Sequence, residues 1–235
     1  MKPLDLLFPP NLYCAACGNL IDRSRPYSLC DNCRNHFRWK LSPVTERNGI
    51  RVLACVEYGL YERSLIFALK YAKDRYCAGI IADIMRDRLR QAGVEADLIV
   101  PVPLYRKKER QRGFNQTALI ARELARRLGV SCWARALLRV RETRPMRGLG
   151  PSERRENVAG SIELAPGYEG KAAGKQVLLI DDFYTTGSTA ESCCEALWAM
   201  EPAGLTVLVY AVRTPQEEIL AERQASLRIG RSINE

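Results

Sequence analysis

Two adjacent carboxylates and a run of hydroxyl side chains lie together in the segment VLLIDDFYTTGSTA, residues 177–190. The apolar residues 177–180 predict a buried strand. Asp181 and Asp182 would follow at its carboxyl end, the edge at which parallel sheets bind their ligands. A helical pattern begins near Ser188, and Ser188 and Glu191 have the spacing of a capping box. TTGST is therefore predicted to lie at the N-terminus of a helix.

This helix N-terminus would form a nest of donors suited to a phosphate dianion. Backbone N–H groups would converge there, and Gly187 would permit a close approach. Hydroxyl groups would come from Thr185, Thr186, Ser188 and Thr189. The two carboxylates can accept hydrogen bonds from a sugar diol. A ribose 5-phosphate would therefore match both the carboxylate pair and the phosphate nest. A solvent-facing acidic turn without a ligand is the alternative, and no G-x-x-x-x-G-K motif offers a Walker A site.

Four of the nine cysteines form two close pairs near the N-terminus, in the pattern C-x2-C-x12-C-x2-C: Cys14, Cys17, Cys30 and Cys33. Each pair would point two thiolates at one ion, and two pairs complete a tetrahedral all-sulfur site suited to a structural Zn2+. His36 is an alternative ligand, and two disulfides are the alternative for the cluster, which a reducing compartment disfavours. The others are predicted to be buried free thiols: Cys55, Cys77, Cys132, Cys193 and Cys194.

Short apolar runs alternate with helical patterns after residue 50, as in the βαβ units of a parallel sheet. Strands are predicted at 52–58, 97–102, 177–180 and 206–212, and helical faces at 80–89 and 120–128. We therefore predict an α/β parallel-sheet domain over 46–235, preceded by a small zinc-ribbon-like module over 1–45. The boundary is placed where Pro43, Asn48 and Gly49 cluster.

The composition is that of a globular protein, with 47% hydrophobic and 27% charged residues among 235. The longest apolar runs are far shorter than the roughly 20 residues of a membrane helix. The N-terminus lacks the uninterrupted apolar region of a signal peptide, so a cytoplasmic protein is expected. The net charge of +9 favours polyanionic or phosphate-bearing ligands, with a merely basic and soluble surface as the alternative.

The segment 177–190 resembles the binding motif for 5-phosphoribosyl 1-diphosphate (PRPP) of the type I phosphoribosyltransferases. Two further segments carry a wider resemblance, namely VPVPLYRKKERQRGFNQ (100–116) and TRPMRGLGPSERRENVAGS (143–161). With the four-cysteine module, they make essentially the whole chain similar to the ComF family, which is associated with DNA uptake in naturally competent bacteria. The resemblance implies a Rossmann-like type I phosphoribosyltransferase domain and Mg2+ as the companion of PRPP.

The resemblance also implies roles for individual residues. As candidate catalytic and PRPP-binding residues, Asp181 and Asp182 would contact the ribose hydroxyls, and residues 185–189 would hold the 5-phosphate. The turn after VPVP would form a pyrophosphate loop, with diphosphate or Mg-linked contacts from Arg106, Lys107, Arg112 and Asn115. Residues 106–112 hold five Lys or Arg, the concentrated positive charge that a diphosphate needs. A solvated basic turn is the alternative.

Residues 141–157 lack apolar periodicity and are rich in Arg, Gly and Pro. A long irregular segment inside a compact domain is usually a lid or a binding loop, and less often disordered. By the resemblance, this segment is the mobile loop that closes over the site, and Thr143, Arg154 and Asn157 match the family pattern. Met146 departs from that pattern, since related sequences usually have glutamine there.

Two functions follow from these patterns. A phosphoribosyltransferase would stabilise departing pyrophosphate with Mg2+ and basic side chains while the ribose C1 develops oxocarbenium character, and the sequence does not select its acceptor. A non-enzymatic competence accessory protein would instead sense PRPP or hold nucleic-acid phosphates, with single-stranded DNA or a helicase-like protein as its partner. The nearest stripe of aromatic and basic residues is 58–71, for which an amphipathic helix with Phe67 and Tyr71 packed inside is the favoured interpretation.

Overall fold

The computed structural model describes residues 12–47, 50–71, 74–143 and 150–213, with the backbone alone for Pro151 and Arg155. Its strands are β1 (Thr45–Arg47), β2 (Ile50–Glu57), β3 (Leu98–Pro101), β4 (Ser131–Cys132), β5 (Leu137–Arg139), β6 (Ile162–Leu164), β7 (Gln176–Tyr184) and β8 (Gly204–Val212). Its helices are α1 (Asp31–His36), α2 (Glu62–Lys70), α3 (Tyr76–Ala92), α4 (Arg106–Arg112), α5 (Gln116–Leu128), α6 (Pro151–Val158) and α7 (Ser188–Leu197).

Six strands form one sheet in the order β1-β2-β8-β7-β3-β4, and β5 pairs with β6 in a second sheet. Within the large sheet β1 is antiparallel to β2, and every other neighbouring pair runs parallel. The central strands β7 and β8 are buried on both faces, which explains why their sequences are continuous apolar runs. The predicted α/β class, with a mostly parallel sheet behind a four-cysteine module, is confirmed.

Successive side chains of each strand point to opposite faces of the sheet. On one face, Leu178 and Ile180 of β7 pack in a core with α2, α3 and α5. On the other face, Val177 and Leu179 pack in a second core with α7. The sheet is therefore the middle layer of three, and each side chain of β7 belongs to one layer or the other.

The strand order reverses between β3 and β7, which are neighbours in the sheet. The chain leaving β3 passes through α5 on one face and continues to β4, whereas the chain leaving β7 passes through α7 on the other face and continues to β8. These connections run in opposite directions, so a crevice opens at the carboxyl ends of β3 and β7. Such a switch point is where open α/β sheets bind their ligands.

The four-cysteine module packs on the face of the sheet that carries α2 and α3. The Tyr27 hydroxyl donates to Asp87 of α3 at 2.9 Å, and the backbone N–H of Arg38 donates to the buried carboxylate of Glu62 in α2 at 2.5 Å. Burial, with the Asp87 carboxylate beside it, raises the pKa of Tyr27 to about 12. The domain boundary at residues 45 and 46 stays a prediction.

Three sequence expectations differ from the fold or lie outside it. Residues 106–112, predicted as a turn, form the helix α4, and part of the irregular segment forms the helix α6. Asn48 and Gly49, from the proposed boundary, lie outside the described residues. Within the described ranges, each helix falls short of the length and apolar content needed to span a bilayer.

Candidate functional site

Asp181 and Asp182 lie within β7, which continues to Tyr184 instead of ending at Ile180 as predicted. Beyond Ile180 the strand pairs with β8 alone, because β3 ends at Pro101, opposite Ile180. The edge of β7 that faces β3 is therefore open at the two aspartates. Both residues border the switch-point crevice, and the alternation of the strand directs their side chains to opposite faces.

Asp182 is buried and is held by two side chains from different helices. The Lys70 ammonium, at the last residue of α2, lies 2.7 Å from Oδ2, and Nε2 of Gln116, the first residue of α5, donates to the same oxygen at 2.9 Å. Neither residue was among the predicted site residues. Gln116 ends the quoted motif 100–116, but nothing in the sequence pairs Lys70 with a residue so distant in the chain.

Asp181 lies partly buried on the α7 face, where Arg139 of β5 and Cys193 are its charged or polarisable neighbours. Its Oδ1 accepts a hydrogen bond from the backbone N–H of Asp182 at 2.8 Å. Burial, with the Asp182 charge next to it, raises the pKa of Asp181 from 3.8 to about 7. Burial on this face therefore disfavours the charged form of the Asp181 carboxyl.

The TTGST run forms the turn from β7 into α7, as predicted. Gly187 is the N-cap with φ of 84°, and the helix begins at Ser188 without a side-chain cap. The capping box predicted for Ser188 and Glu191 is therefore wrong, since Ser188 lies inside the helix and its hydroxyl bonds Thr186 at 3.0 Å. A Cβ on Gly187 would collide with the Tyr184 ring, so only glycine fits this turn.

The predicted pyrophosphate residues lie on α4 and at the start of α5. Arg106 and Lys107 are exposed, and Lys107 pairs with Glu142 at 3.6 Å. Arg112 donates to the side-chain oxygen of Gln116, which brings α4 into contact with the residue that holds Asp182. Asn115 is buried, caps α5 through Thr117 and donates to the Val102 carbonyl at 3.1 Å, so it shapes the turn after β3.

A cleft of about 1210 Å³ opens between α4, α5 and β5. Seven of its lining side chains are Lys or Arg, and one, Glu109, is a carboxylate. Arg110, Arg122 and Arg135 contribute to this charge, and Arg75 lies over the Phe114 ring at 5.4 Å. The cleft is thus a concave surface of strongly positive charge beside the crevice.

Arg139 connects the basic cleft to the acid pair. It lines the cleft, interacts with the Asp181 carboxyl and donates through Nη2 to Thr143 at 2.8 Å. Its Nε is buried and has no hydrogen-bond partner among the described residues. Burial lowers the pKa of Arg139 from its ordinary value. Most buried donors in folded proteins have a hydrogen-bond partner, so this nitrogen is available to a group that enters the cleft.

The predicted mobile-loop residues lie in two places. Thr143 is buried against Arg139, whereas Arg154 and Asn157 lie on α6, which packs against α7. Arg141 donates to the Ala159 carbonyl at 2.7 Å and so joins the two ends of the segment. Met146 lies outside the described residues.

The sulfur atoms of Cys14, Cys17, Cys30 and Cys33 all lie within 4.8 Å of one another. A tetrahedral Zn–S4 centre with bonds of about 2.3 Å has sulfur atoms about 3.8 Å apart, and Cys17 and Cys30 are separated by 3.8 Å. Backbone N–H groups of Cys30 and Cys33 donate to sulfur, at 3.3 and 3.4 Å. The cluster fits a tetrahedral metal ion with four thiolate ligands.

The structure contains all nine cysteines as free thiols; of the five outside the cluster, Cys55, Cys77, Cys193 and Cys194 are buried as predicted, whereas Cys132 is only partly buried. Burial raises the pKa of the Cys33 thiol, and contacts with the other three cysteines of the cluster raise it further. His36 is not part of the cluster. Its Nδ1 lies 2.7 Å from the Asn32 carbonyl and its ring packs on Tyr61.

The aromatic residues of α2 do not all pack inside, as the sequence had predicted. Phe67 is 48% exposed and Tyr71, just beyond the helix, is 68% exposed. Their rings lie 5.3 Å apart on the outer side of the helix that carries Lys70. The interpretation of this stripe as purely internal is therefore wrong for these two residues.

Comparison with known proteins identifies relatives that match a large part of the chain. Competence protein F of Haemophilus influenzae is 28% identical over 186 residues, which cover 79% of this chain and 78% of that protein. The DNA utilization protein YhgH of Salmonella typhimurium is 30% identical over 57% of this chain and 59% of its own length. The match thus spans less than two thirds of the YhgH protein. No protein-family model matches the sequence.

Among solved structures, adenine phosphoribosyltransferase from Saccharomyces cerevisiae aligns with part of this chain. It is 19% identical, covers 65% of this chain and 76% of its own, and has a TM-score of 0.38. The resemblance to the ComF family that the motifs indicate is confirmed by the sequence relatives. The chain is a relative of competence protein F and of the YhgH DNA utilization proteins.

Proposed function

We propose that this protein binds PRPP, or a closely related phosphoribosyl ligand, at the switch-point crevice and acts in DNA uptake or utilization. The observation that carries the proposal is the position of the acid pair. Asp181 and Asp182 lie where β7 loses its pairing with β3, and the TTGST turn follows at the N-terminus of α7. A diol acceptor beside a phosphate nest matches a ribose 5-phosphate.

Each part of the ligand then has its own group of residues. The ribose hydroxyls bind Asp181 and Asp182, and the 5-phosphate binds residues 185–189. The diphosphate binds the basic helix α4 through Arg106, Lys107 and Arg112, while Asn115 shapes the turn. Thr143, Arg154 and Asn157 belong to the segment that would cover the bound ligand. Mg2+ bound with PRPP would neutralise the diphosphate charge.

If the phosphoribosyl group is transferred, the bond between ribose C1 and the diphosphate breaks and a bond to an acceptor forms. The departing diphosphate gains negative charge, which the basic side chains of α4 and Arg139 stabilise. The carboxylates hold the ribose in place while C1 develops positive character.

The four-cysteine cluster is proposed to hold a structural Zn2+. Four thiolates leave no open coordination position, and the cluster belongs to the module that packs on α2 and α3. Its contribution is to fold the module on that face.

Titration calorimetry with PRPP and Mg2+ tests the binding proposal. The wild type is expected to bind, and the pair Asp181→Asn with Asp182→Asn is expected to lose binding. Glu163→Gln, which removes an exposed carboxylate on β6, is the control for a change of charge and should bind like the wild type. A folded, zinc-loaded wild-type protein that does not bind PRPP would refute the proposal.

Nucleic-acid binding is the second candidate function, and the cleft with seven Lys or Arg favours it. The affinity for a single strand that is bound through phosphate contacts falls steeply with salt. A plot of log K against log salt concentration has a slope of about −0.7 for each phosphate contact. Arg135→Ala should therefore make the slope less steep by about that amount, whereas Asp181→Asn should leave the affinity for DNA intact. A salt-independent affinity, or an unchanged slope in the Arg135 variant, contradicts this use of the cleft.

A further inference from the structure

The buried carboxylate of Asp182 is held in one orientation by two donors from separate helices. Lys70 Nζ and Gln116 Nε2 lie 2.7 and 2.9 Å from the same atom, Oδ2. Both donors are themselves well packed, since the Lys70 side chain is 20% exposed and Gln116 is buried. Because both contacts end on Oδ2, the other oxygen is used by neither of them.

Gln116 also connects this carboxylate to the basic helix α4. Its side-chain oxygen accepts a hydrogen bond from Arg112 Nη1, and its nitrogen donates to Asp182. An amide has one acceptor end and one donor end, so these two partners fix which way it points. The result is a continuous chain from Arg112 through Gln116 to Asp182 and Lys70.

Removal of either donor changes the carboxylate in a defined way. A buried charge that loses its partner is costly, so without Lys70 the Asp182 side chain would turn towards water or take up a proton. Without Gln116 it keeps its ion pair but loses a directional bond, and Arg112 loses the acceptor that holds it beside the site.

We propose that Lys70 and Gln116 are positioning residues, which hold Asp182 for the ribose hydroxyls and couple it to the diphosphate end of the ligand through Arg112. The inference rests on the proposed function and assigns the two residues that organise that site. It predicts that the ribose and diphosphate halves of the ligand bind cooperatively, because both depend on the same amide.

The test compares three ligands, namely PRPP, ribose 5-phosphate and pyrophosphate, by calorimetry on the full chain with Mg2+. Gln116→Met removes the hydrogen bonds without a change of charge. It should weaken ribose 5-phosphate binding about tenfold and PRPP binding by more, while pyrophosphate changes less than either. Lys70→Met should show the same order, and Lys70→Arg should restore most of the affinity. Arg63→Met removes an exposed charge from the same helix and should bind all three like the wild type.

A double-mutant cycle separates positioning from general damage to the fold. In an Asp182→Asn background, Lys70→Met and Gln116→Met should cause little further loss of ribose 5-phosphate affinity, because their target is gone. Losses that persist at full size in that background would overturn the inference. So would a folded Gln116→Met protein that binds ribose 5-phosphate as the wild type does.

Failure of the proposed function gives a different result. A wild type that binds neither PRPP nor ribose 5-phosphate refutes the proposed function and this inference with it. A wild type that binds both, with positioning variants that also bind both normally, refutes this inference alone. If Lys70→Met does not fold, Gln116→Met and Lys70→Arg decide the question without it.

Discussion

Replacement of Asp181 by asparagine is expected to stabilise the folded protein, although this carboxylate is proposed to bind the ligand. Burial and the Asp182 charge raise its pKa from 3.8 to about 7. The pKa of Asp181 is higher in the folded protein than in the unfolded chain, so the protonated carboxyl stabilises the fold. This stabilisation is complete below about pH 4 and is lost as the pH rises through about 7. Asparagine does not ionise, and its side-chain oxygen can still accept the bond from the Asp182 N–H.

The size of the effect follows from the pKa difference. About three pH units at about 1.4 kcal/mol each give an upper value of about 4 kcal/mol for ionising Asp181 in the folded protein at pH 8. Asp181 is only partly buried, so water screens part of this cost. We expect Asp181→Asn to raise the free energy of unfolding by about 2 kcal/mol at pH 8, and by well under 1 kcal/mol at pH 4.5.

Urea unfolding at the two pH values measures this difference, and Asp182→Asn is the matched control. That variant loses its ion pair with Lys70, so it should lower the free energy of unfolding at pH 8. A stability gain of equal size at both pH values would refute the assignment to ionisation, and a loss at pH 8 would refute the sign. Since Asp181 is proposed to bind the ribose hydroxyls, its carboxylate would serve ligand binding at a cost in stability.

Three other substitutions test other parts of the structure. Cys17→Ser should weaken the binding of the zinc ion proposed for the cluster, and a variant that keeps its full metal content on chelator titration contradicts that proposal. Gly187→Ala should lower the free energy of unfolding by about 2 kcal/mol or more, because φ is positive there and the Tyr184 ring occupies the space of a Cβ. Gly160 also has a positive φ, of 62°, but has open space around it, so Gly160→Ala should lower the free energy of unfolding by about half as much in the same urea experiment. Arg127→Met should lower the free energy of unfolding by about 2 kcal/mol, because it breaks the bidentate bond to Asp83 that joins α5 to α3. The Arg126 side chain is 69% exposed, so Arg126→Met should lower it by less than about 1 kcal/mol. Equal losses of the two variants in thermal unfolding would contradict this packing.

The layers of the fold could be predicted because their patterns are local. The apolar runs of β7 and β8 identify buried parallel strands, and Ile120 and Leu124 repeat on one face of α5 as helical spacing requires. The end of β7 could not be predicted in this way. Residues 181–184 carry carboxyl and aromatic side chains, yet Asp181, Phe183 and Tyr184 pair with β8, because the partner strand continues regardless of their polarity.

The helix α4 was hidden by its composition. Its sequence, RKKERQR, has no apolar residue, so no hydrophobic period exists to detect, and it ends at Gly113 with φ of 86°. The cysteine cluster was visible because its ligands come in two short motifs. The roles of Lys70 and Gln116 could not be predicted, because a contact between segments far apart in the chain leaves no pattern in the sequence of either segment.

The strand order has a consequence for how the chain folds. β8 lies between β2 and β7 in the sheet. Arg51 of β2 pairs with Thr206 of β8, so this edge of β2 has no partner until a segment far along the chain has been synthesised. Until then β2 and β7 each expose an edge whose backbone groups can pair with another molecule. A high contact order of this kind slows folding and leaves the nascent chain open to aggregation. Substitutions that weaken β8 should therefore reduce the yield of soluble protein during synthesis by more than their effect on the finished fold explains.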